Sequence, residues 1–251
     1  EKMMLFDNPD FFKSLKDNLM LIVVKSMQIA LDRKDIKASY KEDGTIVTKT
    51  DRDLHNFIED ALLDLYPELP VVSEEGTFDK KSFQQQSYWL IDPIDGTASF
   101  AKGLEDYTIN IALISNGKPL AGVIGHPPSK KIWYGSNSSA LLIKDEKEYK
   151  INVKNFNIRS IEIIMSKSLD RLTKNFVNKI DGANIKYYSS SLKFCKLAEG
   201  EADLYPRLSS ISKWDIAAGD AILRSAGGTI LDEKGKEILY NTAKINTGKF
   251  F

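Results

Sequence analysis

Cysteine is almost missing from this 251-residue chain: Cys195 is the single one. No disulfide can form within it, and a reducing cytoplasm is the compartment that fits. An excess of charge is lacking too. Its 35 basic and 35 acidic residues cancel, which argues against a nucleic-acid polymer or an anionic membrane as the main partner. A small anionic ligand stays open, because a local cluster of charge suffices to bind one. No apolar run approaches the length of a membrane span; Leu19 to Val24 is too short and has charged neighbours. The first residues carry no signal-peptide pattern. Repeats, low-complexity tracts and long linkers are also absent. Cys195 lies in the helical-looking stretch Ser191 to Ala198 without a partner motif. It reads as a buried structural thiol rather than a nucleophile.

What is present is ordinary for a soluble globular chain, 42% hydrophobic and 28% charged, with enough length for one large domain or two lobes. Phe11, Leu15, Leu19, Ile22 and Met27 recur at helical spacing and predict a long first helix. A short strand at Thr45–Thr48 leads into a second helix, with Thr50 as its N-cap. A β-rich section follows: Tyr107 to Ile114, a turn at Asn116-Gly117, Leu120 to Ile124, Ile132 to Gly135, and a hairpin over Ala140 to Val153. The later half alternates: strand Ile161–Ser166, a helix near Leu169–Ile180, strand Ile185–Tyr188, a helix through Lys193, strand Ala202–Leu208, a helix from Trp214 to Ala226 ending at Gly227-Gly228, and a closing hairpin at Thr229–Tyr240. This pattern implies a mixed α/β (α+β) fold in two lobes sharing one cleft, an α+β lobe over 1–135 and an α/β lobe over 136–251.

The run Tyr88-Trp89-Leu90-Ile91-Asp92-Pro93-Ile94-Asp95-Gly96-Thr97 carries the chemistry. Four apolar residues read as a buried strand that Pro93 stops, and Gly96 permits a sharp turn. Asp92 and Asp95 can then aim at one point, with the Ile94 carbonyl between them and the Thr97 hydroxyl beside them. Hard oxygen ligands suit Mg²⁺, and Mg²⁺ with a phosphate suits hydrolysis. An ordinary Asp-Gly turn is the alternative reading of this stretch taken alone.

Two more segments bear on the choice. Leu69 to Gly76 is a short apolar strand ending in Glu74-Glu75, and Lys213-Trp214-Asp215 opens a helix of small residues. In this order the three elements resemble the Mg²⁺-dependent, lithium-sensitive phosphatases of the inositol monophosphatase superfamily. The resemblance implies a layered αβαβα sandwich. It implies two or three Mg²⁺ ions on Glu74, Asp92, the Ile94 carbonyl, Asp95 and Asp215. It further implies that Thr97 orients the attacking water, that Asp51 is its acidic partner, that Glu74 also holds that water, and that Gly96 and Thr97 face the phosphate. Four carboxylates brought as close as the resemblance implies would repel without a cation, which itself argues for metal. Taken singly, Asp215 fits a capping box with Ser212, and Asp51 a favourable helix dipole.

Ser189 to Cys195, followed by Ala198-Glu199-Gly200-Glu201-Ala202-Asp203-Leu204-Tyr205-Pro206-Arg207, resembles the 3′(2′),5′-bisphosphate nucleotidase branch. That implies Ser190, Lys193 and Arg207 hold the nucleotide, with Asp95, Gly96, Thr97 and Asp215 near the reacting phosphate. The implied reaction converts adenosine 3′,5′-bisphosphate to AMP, and the implied role is removal of a by-product of sulfur assimilation. The chain departs from that branch at Ala98-Ser99-Phe100, where a Lys-Glu pair is usual, and at Ser189, where glycine is frequent. Phe100 and Lys102-Gly103 resemble the inositol monophosphatase side. A phosphatase of inositol or sugar monophosphates is the second reading, and a non-catalytic metal- or nucleotide-binding relative the third. His126 ends a strand and reads as a loop residue, not a ligand; Tyr187 or Tyr188 could stack on adenine or be a core aromatic. Monomer and homodimer remain open.

Overall fold

Alternation along one strand sets the layers. Strand β4 (Ser87–Asp95) sends Tyr88 and Leu90 into one apolar cluster and Trp89 and Ile91 into another on the opposite face, as successive strand side chains must. The structure is a computed structural model, and it describes residues 6, 9–33, 36–136, 139–156, 159–168 and 170–251. Around β4 runs a seven-stranded sheet made with β3 (Val71–Ser73), β5 (Thr108–Ser115), β6 (Lys118–His126), β7 (Lys131–Ser136), β8 (Ser139–Lys144) and β9 (Lys147–Ile151), in the order β3-β4-β5-β6-β7-β8-β9. Only the β3–β4 pair is parallel. The lobe boundary expected between 135 and 136 falls inside this sheet.

Helices α1 (Pro9–Leu31) and α2 (Lys49–Leu65) cover one face, burying Leu15, Leu19, Leu54 and Ile58 against Trp89 and Ile91. Helices α5 (Leu192–Ala198) and α6 (Lys213–Ser225) cover the other, through Phe194, Ala217, Ala218 and Ile222. The approach of α6 is close: a Cβ on Gly122 of β6 would stand 2.6 Å from the Ala218 carbonyl oxygen. A second, two-stranded parallel sheet of β10 (Glu162–Ser166) and β11 (Asn184–Tyr188) follows. β10 gives Ile164 to the α5–α6 cluster and turns Ile163 and Met165 to Val177 of α4 (Arg171–Val177). The layers therefore read helix, sheet, helix, sheet, helix. Short pairings complete the chain: β1 (Ala38–Tyr40) with β2 (Ile46–Thr48), and β12 (Ile211–Ser212) with β13 (Asn246–Thr247). Helix α3 (Thr97–Ala101) follows β4 directly.

Several expectations need correction. Pro93 does not end the β4–β5 ladder. Pairing runs on to Asp95 opposite Thr108, with a register shift between Asp92 and Asp95 that absorbs the residue lacking an N–H. The N-cap of α2 is Thr48, not Thr50. The Thr48 hydroxyl accepts from the Asp51 N–H while Asp51 accepts from the Thr48 N–H, a reciprocal box that satisfies two donors at once. Thr50 lies buried inside the helix. Ala202–Leu208 forms isolated bridges, Ile163 with Leu204 and Arg207 with Phe250, instead of a strand, and the closing hairpin reduces to a bridge between Leu231 and Glu237. The helix expected from Leu169 is shorter at both ends, and Leu169 itself lies outside the described residues. Tyr187 is half exposed, not a core aromatic, and Tyr188 packs partly against the core. The β5–β6 hairpin turns on Asn116 and Gly117, both left-handed (φ 50° and 75°), as the Asn-Gly signal implies. Cys195 is buried.

Candidate active site

The end of β4, the end of β3 and the first turn of α6 converge. One carboxylate oxygen from each of Glu74, Asp92 and Asp215 lies within 4.8 Å of the other two. Asp92 is the most telling of them. It is 1% exposed, and neither of its oxygens has a hydrogen-bond partner among the described residues. Burial, then the charges of Glu74, Asp95 and Asp215, push its carboxyl well above the ordinary value. Burial, with Asp95 and Glu74, does the same to Asp215. Glu74 is raised by burial and by Glu75 and Asp95, against the pull of Lys41. Buried carboxylates are normally paired or coordinate a metal. An all-oxygen set with an orphaned carboxylate at its centre fits a hard divalent cation such as Mg²⁺.

Asp95 stands beside this trio but is held differently. Its Oδ2 lies 2.9 Å from the Ser191 hydroxyl, and burial still raises its carboxyl against the attraction of Lys193 and the hydrogen bonds of Ser191 and Asn110. The spacing argument that Asp92 and Asp95 share one aim is thus met in part: they are neighbours, with Asp95 turned toward α5. The Ile94 carbonyl oxygen, between them, lies 2.9 Å from Thr97 Oγ1. That hydroxyl also lies 2.9 Å from Asp51 Oδ1, while Asp51 Oδ2 is held by the Thr48 N–H and hydroxyl. The cap of α2 therefore fixes the acid that Thr97 meets.

A cleft of about 290 Å³ opens beside the cluster. Asp95, Gly96, Ser190, Lys193, Arg207 and Asp215 line it, so six of the residues singled out in the sequence share one space. Glu74, Asp92, Asp51 and Thr97 are not in that lining; Asp95 and Asp215 join the two parts. Gly96 is left-handed (φ +96°), and a Cβ there would stand 2.5 Å from Ser190 Oγ and 2.6 Å from the Asp106 carbonyl oxygen, so only glycine fits. Ser190, itself at φ 52°, places its hydroxyl 2.9 Å from the Asp95 carbonyl and 3.1 Å from that of Asp106. Its donor is thus used within the protein. Burial and the like charge of Arg207 push the Lys193 ammonium down to about 8, against the pull of Asp95. The buried Arg207 Nε has no partner among the described residues.

Three residues that sequence reasoning left unassigned matter here. Ser191 accepts from Asn110 Nδ2 at 2.7 Å and sits 3.0 Å from the Asp215 carbonyl as well as beside Asp95, tying β5, β4 and α6 together. It stands inside the serine run quoted above, but which serine does this is a tertiary fact. Asn110 gave no signal. Lys41, between β1 and β2, reaches Glu75 at 2.6 Å and Glu74 at 3.4 Å, bringing a cation to the edge of the acidic trio. His126 ends β6 between Ser129 Oγ and the Glu105 carbonyl, as a loop residue should, and burial lowers its imidazole.

The raised carboxyls make a stability prediction. Groups whose folded values exceed their unfolded ones contribute stability below the ordinary carboxylate range and lose it as pH rises through the folded values. In chelator, the wild-type protein should therefore lose stability relative to Asp92→Asn as pH rises above the ordinary carboxylate range. Comparing melting temperatures of the two proteins cancels the opposite contribution of His126. A difference that stays constant with pH would contradict the repulsion described here.

The model of the inositol monophosphatase family matches residues 11–249. The 3′(2′),5′-bisphosphate nucleotidase CysQ of Buchnera aphidicola is 37% identical over 230 residues, 88% of this chain and 86% of that one. CysQ of Escherichia coli K12 is 36% identical over 216 residues, covering 85% and 87%. Among solved structures, CysQ from Bacteroides thetaiotaomicron, described as a bacterial member of the inositol monophosphatase family, superposes with TM-score 0.82 at 28% identity, covering 95% of this chain and 96% of that one. The Thermotoga maritima IMPase gives 0.78 at 25% identity, over 94% and 91%. The chain belongs to the inositol monophosphatase family and is a phosphatase of the hydrolase class. Among the described residues, no helix is long and apolar enough to cross a membrane.

Proposed function

We propose that the chain is a Mg²⁺-dependent 3′(2′),5′-bisphosphate nucleotidase, converting adenosine 3′,5′-bisphosphate to AMP and phosphate in the cytoplasm. One observation carries this reading. Asp95 and Asp215 line the same cleft as two cations, Lys193 and Arg207. A ligand with one phosphate at the carboxylate end can present a second phosphate to them, and charge-assisted contacts to phosphate are the strong ones. The names of the Buchnera and E. coli relatives support the substrate.

In this reading Glu74, Asp92 and Asp215 hold Mg²⁺, joined by Asp95 and the Ile94 carbonyl, in a site for two or three ions. Bound Mg²⁺ would neutralise charge on the phosphate and make water more acidic. The chain's own residues do the rest. The Thr97 hydroxyl, donating to Asp51 Oδ1, keeps its lone pairs free to accept from the attacking water. Asp51, fixed by Thr48, keeps that hydroxyl oriented; Glu74 is a further acceptor for the water. Gly96 lets the backbone turn closely enough for its N–H and that of Thr97 to meet the phosphate. Ser190 holds that wall in place through the Asp95 and Asp106 carbonyls.

Lys193→Ala and Arg207→Ala should each lower kcat/KM for adenosine 3′,5′-bisphosphate about ten- to hundredfold, since a lost charge-assisted contact costs about 1.5–3 kcal/mol. On a monophosphate, which has no second phosphate to hold, the loss should be much smaller. Equal losses on both substrates would remove the two cations from this role. A second reading, hydrolysis of inositol or sugar monophosphates, draws on Phe100 with Lys102-Gly103 and on the likeness to the T. maritima structure.

A further inference from the structure

Asp92 and Asp215 come from different elements, yet one oxygen of each lies within 4.8 Å of the other. Like charges at that separation push β4 and α6 apart. A buried bracket ties the two elements together, and Tyr240 is its centre. The Tyr240 carbonyl accepts from the Tyr88 hydroxyl at 2.7 Å and lies 3.4 Å from Lys213 Nζ. Tyr88 belongs to β4, the strand of Asp92, and Lys213 opens α6, whose first turn holds Asp215. Further along α6, Asp220 Oδ2 accepts from the Tyr240 hydroxyl at 2.9 Å. Tyr88 and Tyr240 are fully buried, and Lys213 is 2% exposed. Lys213 is the unusual member. Burial alone acts on its ammonium, with no carboxylate beside it among the described residues. Its other partners are the Thr242 carbonyl and hydroxyl, both at 2.8 Å, and the Phe83 ring, 5.2 Å to the centroid. A buried ammonium without a counter-ion is costly, and departures of that kind gather at functional sites.

We propose that Lys213 and Tyr88 are positioning residues for the cation site: joined through Tyr240, they hold α6 and β4 close enough for Asp215 and Asp92 to share one divalent ion. The inference rests on the metal site of the proposed function and is independent of the substrate. Neither residue lines the cleft, so both act through the carboxylates that their elements carry. The two links are in series, Tyr88 to Tyr240 and Tyr240 to Lys213. Cutting either one frees β4 from the start of α6, and cutting both does little more.

The test is a calorimetric titration of Mg²⁺ into the chelator-treated full chain, without substrate. Tyr88→Phe keeps the ring and loses the donor; Lys213→Met keeps an unbranched side chain and loses the charge. Each should weaken Mg²⁺ binding about tenfold, the lower end of what losing a group that supports metal ligands costs. In the double variant the losses should not multiply. Its Kd should lie within about twofold of the weaker single variant, whereas two independent packing defects would give about a hundredfold. Melting curves in chelator show which variants are folded at the titration temperature. If Lys213→Met folds poorly, the Kd of Tyr88→Phe decides alone. Unchanged Mg²⁺ affinity in folded Tyr88→Phe, or a hundredfold loss in the double variant, would overturn the bracket while leaving the metal site in place. A wild-type chain that takes up no Mg²⁺ would overturn the metal site, and the bracket with it.

Discussion

Asp92→Asn should lose turnover by about a thousandfold or more while the metal-free protein becomes more stable. The two effects have one cause. Asp92 is buried, lacks a donor among the described residues and faces Glu74, Asp95 and Asp215. Removing its charge relieves repulsion in the metal-free state and gives the neighbouring carboxylates an amide donor. The same change takes a ligand from the cation site, which is worth several kcal/mol of charge stabilisation in the transition state, at 1.36 kcal/mol per tenfold. Thermal unfolding with and without Mg²⁺, beside steady-state kinetics, reads both sides. The wild type should gain stability with Mg²⁺ and the variant should not. Asp95→Asn should also nearly abolish turnover with the fold intact, with a smaller gain in metal-free stability, because Asp95 already has donors in Ser191 and Asn110. A variant that keeps its turnover and its response to Mg²⁺ would remove Asp92 from the metal site.

Thr97→Ala should lower kcat by about two orders of magnitude, within the span of a positioned proton acceptor, and change KM by no more than a few-fold. Thr97 meets Asp51 and the Ile94 carbonyl and does not line the cleft. It should therefore matter when water attacks rather than when substrate binds. Thr97→Ser, which keeps the hydroxyl, should recover most of the rate. A rise in KM with kcat unchanged would make Thr97 a binding residue and end the relay with Asp51.

The acidic cluster was legible because its information is local. Asp92, Ile94 and Asp95 come from one short stretch, and Glu74 and Asp215 each end or open a recognisable element. The five layers were not legible from periodicity, and entered through the family resemblance; in the structure they follow from the alternation of Tyr88 with Trp89 and of Ile163 with Ile164. The cap of α2 shows why local patterns run out. Thr48 and Thr50 each have an aspartate three residues later, so both fit the same box. Thr48 is chosen because Asp51 is needed at Thr97, whereas Asp53 is taken by Lys49 and Arg33. Pro93 misled for a related reason: the ladder survives it through a register shift visible only once β5 is in place. Asn110 and Lys41 reach the site across long stretches of chain with nothing in their immediate neighbours to mark them, and the serine run marks the stretch around Ser191 but not which serine meets Asp95.

The measurement that bears most directly on the proposed reaction is phosphate release by the wild-type protein in Mg²⁺, with adenosine 3′,5′-bisphosphate and inositol 1-phosphate compared at equal enzyme concentration. Two cations in the cleft that Asp95 and Asp215 also line imply that kcat/KM is higher for the bisphosphate, by about the ten- to hundredfold that one charge-assisted contact supplies. AMP should be the product, and excess chelator should stop the reaction. A preference for inositol 1-phosphate, or full activity in chelator, would contradict it.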